Sequence, residues 1–165
     1  MPSIIDVAKY VLHIKGHVTP FRLHRLCYYC QARVLAYDLM PLFPEDFQAW
    51  AGGPVCAELY QFHKDHLSKG IYILFDGDLG KYDDSALTEY QQEQIDEVLS
   101  KYGNLKTFQL SINIHDEWPW VEARKWLELG ERCENTISKK TMSEYYASQI
   151  EYTRDRSWHP PGERN

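Results

Sequence analysis

The segment that opens at Thr19-Pro20 restricts the fold of this chain more than any other. After it, Leu23, Leu26, Cys27, Cys30, Val34 and Tyr37 recur at intervals of three or four residues, which places them on one face of an α-helix. Thr19 offers a cap and Pro20 a first-turn proline. A long helix with such a stripe has to be covered by other elements, and the rest of the chain supplies mostly helices. Ser3 with Asp6 reads as the cap of a first helix carrying Ile4, Val7, Ala8 and Val11, ended by Gly16. Pro41 and Pro44 stop the second helix and are expected to begin a short one through Phe47 and Trp50. Beyond the Gly52-Gly53-Pro54 turn, residues 55–66 can run helical. Thr88 with Gln91 reads as a capping box before Ile95, Val98, Leu99 and Tyr102, and residues 107–115 continue helically. Pro119 opens another helix, Gly130 closes it, and Ser138 caps a last one carrying Met142, Tyr145 and Tyr146. Ile71–Phe75 alone looks strand-like. The expected fold is therefore mainly α: a compact single-domain helical bundle with a short strand or hairpin near residues 71–82. The domain is expected to span 1–150, with 151–165 as a flexible C-terminal tail, since EYTRDRSWHPPGERN lacks periodicity.

The charge pattern narrows the function classes. The chain has 165 residues and a net charge of −6, and a nucleic-acid binder needs a basic face; no direct nucleic-acid binding is expected. Residues 76–97 alone carry −7, leaving the remainder at +1. That acidic stretch reads either as a solvated face or as a steering surface for a basic partner. A calcium-loop spacing starting at Asp76 and Asp78 fails, because Lys81 stands at the required glycine and Leu87 at the closing glutamate. Apolar runs are far shorter than the roughly 18 residues of a membrane span, and the N-terminus lacks a secretory pattern. No membrane association is expected, and a cytoplasmic location is the default.

Catalytic and metal signatures are weak. Cys27-x-x-Cys30 lies within a helical stripe, not at a helix start where a redox thiol would be activated. Cys56 and Cys133 supply no second close pair for zinc. The cysteines therefore read as core residues, and no metal or cofactor is expected. His24 and His63 read as surface or interface groups. His115, Asp116 and Glu117 point about 100° apart while helical and cannot converge. Most of the many aromatics read as core, with adjacent pairs such as Tyr28-Tyr29 leaving surplus members suited to a protein interface.

Four segments in order resemble a known family. They are Phe21-Arg-Leu-His-Arg-Leu-Cys-Tyr-Tyr-Cys-Gln31; Phe47-Gln-Ala-Trp-Ala-Gly-Gly-Pro-Val55 with Tyr60 following; Leu110-Ser-Ile-Asn-Ile-His-Asp-Glu-Trp-Pro-Trp120 with Ala123-Arg124; and a final helix with Ile137 and Met142-Ser-Glu-Tyr-Tyr146. Together they resemble the Panacea domain, the SocA-like or GepA-type phage-associated antitoxins, over nearly the whole ordered chain. Ile114 stands where the family usually has Thr, and Arg22 and Arg25 replace common lysines.

The resemblance implies an antitoxin that neutralises a cognate toxin by direct protein–protein contact. An adaptor role, delivering the toxin to a cellular protease, is the alternative it implies. Some relatives carry a separate DNA-binding domain, and with so short a segment after the last helix autoregulation through such a domain is not expected. From the residues themselves, a side chain at Gly53 would intrude on the turn beside Trp50, and Pro119 would fix the helix start that buries Trp120. The scaffold set is Tyr28, Trp50, Gly53, Pro54, Tyr60, His115, Pro119 and Trp120. Arg22, Arg25, Tyr29, Glu117 and Arg124 form the expected exposed polar patch for a partner, joined by Asp83, Asp84, Glu89 and Glu93. No catalytic residue is expected; the competing reading, a small hydrolase-like enzyme around His115, Glu117 and Arg124, requires one deep pocket enclosing all three.

Overall fold

The computed structural model describes residues 1–157, with side chains described through residue 150. Local capping signals set the first boundaries. Ser3 accepts from the Asp6 N–H while the Asp6 carboxylate accepts from the Ser3 N–H, starting α1 (Ile4–Lys15), and Gly16 at φ 80° ends it. The chain then forms β1 (His17–Val18) and the long helix α2 (Pro20–Asp38). Thr19 occupies the cap position of α2, but its side chain makes no capping hydrogen bond.

Helix α2 is the axis of the fold. It packs against α1, the helices α4 (Glu89–Tyr102), α5 (Thr107–His115) and α7 (Lys139–Ser157), and the strand β3 (Gly53–Val55). The expected stripe is buried from Leu23 to Val34, while Tyr37 is exposed beneath the Arg33 guanidinium. Burial goes beyond the stripe. Tyr28, Tyr29, Gln31 and Ala32 on its other sides are buried as well, because the surrounding elements enclose the helix. Each Leu, Ile or Phe taken out of water contributes roughly 1.5–3 kcal/mol, and Ile4, Leu23, Leu26, Phe43, Leu59 and Leu110 are all fully buried.

Two small antiparallel sheets complete the architecture among the described residues, which are mainly helical. The expected strand near 71–82 is present as β4 (Leu74–Phe75), paired with β1 through His17–Phe75 and Val18–Leu74. Only Leu74 of residues 71–75 is buried, so the apolar run yields a two-residue strand. The short helix expected through Phe47 and Trp50 is instead β2 (Gln48–Trp50), paired with β3 across the two-residue turn Ala51-Gly52. Hydrogen bonds from Ala49 N–H to Asn135 O and from Ile137 N–H to Phe47 O attach residues 135–137 to its other edge. Paired backbone on both edges overrides helix formation there. Helix α3 (Ala57–Ser68) follows β3, and α6 (Trp118–Ala123) links α5 to α7. Thr88 and Gln91 form the expected capping box of α4. Helix α7 continues through Ser157, past residue 150 where a tail was expected; residues 158–165 lie outside the described residues. Among the described residues no helix is long and apolar enough to cross a membrane.

His24 and His63, expected near the surface, are fully buried. The Cys56 N–H donates to His24 Nδ1 at 3.1 Å, so the His24 proton lies on Nε2, which donates to His63 Nε2 at 2.8 Å. His63 Nδ1 then carries a proton in a buried position without a partner. Burial holds both rings neutral, His24 well below the usual imidazole range and His63 pushed down to about 4. Unfolded imidazoles gain protons below about pH 6.5, so between that pH and 4 the unfolded state binds more protons and folding stability decreases as pH falls. Urea midpoints measured from pH 7 to pH 4.5 should drop accordingly in wild type and much less in a His24→Gln/His63→Gln variant. Equal slopes would contradict a neutral buried pair.

Candidate functional site

The motif residues meet around the β2–β3 hairpin. Arg25 projects from α2 into the turn and is buried. Its Nη2 donates to Gly52 O at 2.6 Å, Nη1 to Phe21 O at 2.7 Å and Nε to Ser111 Oγ at 2.9 Å. Ser111 in turn donates to Thr107 O within α5. The guanidinium thus uses neutral acceptors from three elements, and burial lowers its pKa to about 10. Gly53 adopts φ 143°, and a Cβ there would lie 2.6–2.8 Å from the Arg25 guanidinium. The expected intrusion at Gly53 is real, and the group it would strike is Arg25.

A second buried arginine holds the same hairpin from α6. Arg124 Nη1 donates to Ala49 O on β2 at 2.8 Å, while Nη2 donates to Glu131 O at 2.5 Å and Glu128 O at 3.3 Å. Its guanidinium carbon lies 4.9 Å from the Trp120 ring. His115, at the end of α5, stacks on Trp120 with centroids 4.0 Å apart. Burial, then the charges of Arg25 and Arg124, lower the His115 pKa. Pro119 and Trp120 are buried at the start of α6.

A tyrosine cluster adjoins this site. Glu117 Oε1 accepts from Tyr29 at 2.6 Å, and Tyr146 OH lies within hydrogen-bond distance of both Glu117 Oε1, at 3.2 Å, and Tyr28 OH, at 3.1 Å, with one proton to give. Tyr29 stacks on Tyr102 at 4.1 Å. Burial raises the Glu117 pKa. Arg22 reaches the α4–α5 junction, where Nε donates to Leu105 O at 2.9 Å and Nη2 to Gly103 O.

The expected exposed patch is therefore mostly interior. Arg25, Tyr29 and Arg124 are buried, and Arg22 and Glu117 are half-buried, because each polar head finds backbone or hydroxyl partners inside the fold. His115, Glu117 and Arg124 do not share a pocket: His115 borders a groove along α5, Glu117 borders one between α2, α4 and α7, and Arg124 lines neither. Trp50 and Tyr60 pack together, with ring centroids 5.5 Å apart, and Pro54 is buried in β3. Asp83, Asp84, Glu89 and Glu93 are all exposed. The α5 groove, of about 620 Å³, is lined by Phe21, Trp50, Val55, Phe108 and Ile112 among others. Phe108 and Ile112 are 60% and 57% exposed; their spacing of four, opposite Leu110 and Ile114, is a second apolar stripe on α5 that the sequence reading overlooked.

The model of the family described as antitoxin SocA-like, Panacea domain, matches residues 23–121. This chain belongs to the SocA-like antitoxin family. None of the curated proteins and none of the solved structures matches it. In this Panacea domain the matched stretch contains Arg25, the whole β2–β3 hairpin, Ser111, His115 and Trp120, while Arg124 lies just beyond it. Gly53→Ala should destabilise the fold by about 2 kcal/mol or more, read by urea unfolding. Gly52→Ala, whose Cβ would come no closer than 3.5 Å to Arg25, should cost far less; equal effects would argue against the close approach at Gly53.

Proposed function

We propose that this chain is an antitoxin that neutralises its cognate toxin by direct protein–protein binding, with the α5 groove as the docking surface. The observation that carries the reading is the relation between motif and groove. Arg25, Gly52, Gly53, Ser111 and His115 form its floor and walls, and all five lie within the stretch that the family model matches. Phe108 and Ile112 supply exposed apolar area beside it, as interface cores do. Asp83, Asp84, Glu89 and Glu93 are the steering surface of the proposal: exposed like charges raise the encounter rate with a basic partner and act less at high salt.

The test is co-expression with the product of the adjoining reading frame. Growth rescue and a co-purifying complex are expected; neither appearing would overturn the reading. Phe108→Glu/Ile112→Glu should lose the complex while retaining the wild-type melting temperature. Asp83→Asn/Asp84→Asn/Glu89→Gln/Glu93→Gln should slow association several-fold at low salt, with the difference closing as salt is raised. A salt-independent, wild-type rate would remove the steering role.

A further inference from the structure

Between α6 and α7 the chain makes two tight turns whose tips face solvent. Arg124 and Leu127 are both anchored inward, the first by its hydrogen bonds to Ala49, Glu128 and Glu131 and the second by packing against the core. The Leu127 N–H donates to Arg124 O at 3.0 Å, so the chain reverses between the two anchors. Trp126 takes φ 73° in that reversal and is 94% exposed. Bulky residues rarely adopt this left-handed conformation. The second turn is closed by Glu131 N–H to Glu128 O at 3.1 Å and by Glu128 N–H to Glu131 Oε2 at 3.0 Å. Its Leu129 is 84% exposed. One buried guanidinium therefore pins both turns to β2.

Folding gains little from an indole held in water on strained backbone, and such outliers concentrate where a surface is used. A rigid aromatic on a pre-ordered loop is the form an interface anchor takes, because large aromatics carry much of the binding energy and a fixed loop loses little freedom. The surrounding charges define the partner. On the solvent side, exposed Glu128, Glu131 and Glu134 and half-buried Glu122 outnumber exposed Lys125 and Arg132, the segment's third cation, Arg124, being buried, and Arg132 is already paired with Glu134 at 3.0 Å. The second turn also adjoins the α5 groove: Gly130, Arg132 and Glu134 share a hollow of about 340 Å³ with Trp50 and Gly52, which line that groove too.

We propose that Trp126 and Leu129 form a second anchor for the toxin, seated in an apolar slot rimmed by basic side chains. This rests on the toxin-binding reading above. The probe is the purified product of the adjoining reading frame, titrated calorimetrically against the full chain. Trp126→Gly removes the indole and places at φ 73° the residue that tolerates it, so the melting temperature should be kept or raised. Binding should weaken by about 30-fold or more. Wild-type affinity in Trp126→Gly overturns the anchor and leaves the toxin-binding reading intact. A wild-type chain that binds nothing overturns that reading and the anchor with it.

Discussion

A buried cation without a carboxylate partner governs this molecule. Arg25 sits inside the protein with every nitrogen of its guanidinium donating to a neutral oxygen, from α2 itself, from the hairpin turn and from α5. Desolvating such a charge is costly, and leaving it without acceptors costs more still. The three elements are therefore interdependent: separating the hairpin or α5 from α2 strands the charge. Arg124 repeats the arrangement from the opposite side of the sequence, with acceptors on β2 and on the turns that follow α6. A hairpin of two three-residue strands would not persist alone in water. Here two guanidinium groups and the edge bonds to residues 135–137 hold it.

How much of this could be read from the chain depended on range. The boxes at Ser3–Asp6 and Thr88–Gln91 operate within one helical turn, and the inner stripe of α2 is a purely periodic signal; the structure contains all three. Polar residues on α2 behave differently. His24 finds His63, 39 positions away, and Arg25 finds Ser111, 86 positions away, so residue type alone suggested a surface role that tertiary partners reverse. The Phe47–Trp50 segment failed for a related reason. Its strand character comes from partners on both edges, and the one local sign was the two-residue turn before Gly53. The exposed stripe on α5 was legible in principle, since Phe108 and Ile112 repeat at helical spacing, but it competed with the buried stripe of Leu110 and Ile114 on the same short helix.

The family motifs and the surface are thus coupled but distinct. Residues of the motif segments such as Arg25, Gly53, His115 and Trp120 set the geometry of the junction, while Phe108, outside those segments, and the outward-facing Ile112 within one of them supply exposed apolar side chains at the groove. The acidic residues of 76–97 lie outside this junction and are exposed. Rim and acidic face can change without disturbing the clamp, which is a physical basis for one scaffold serving different partners.

The four cysteines carry a chemical corollary. All are buried free thiols, and burial raises those of Cys27 and Cys30 far above their ordinary range and that of Cys56 to about 12. A thiol that stays protonated is a poor nucleophile. In the folded state Cys27 and Cys30, fully enclosed within α2, behave as small apolar groups that react poorly with peroxide and mixed disulfides, and they become reactive when the helices around α2 come apart. Alkylation of these positions is therefore a built-in reporter of opening of the core.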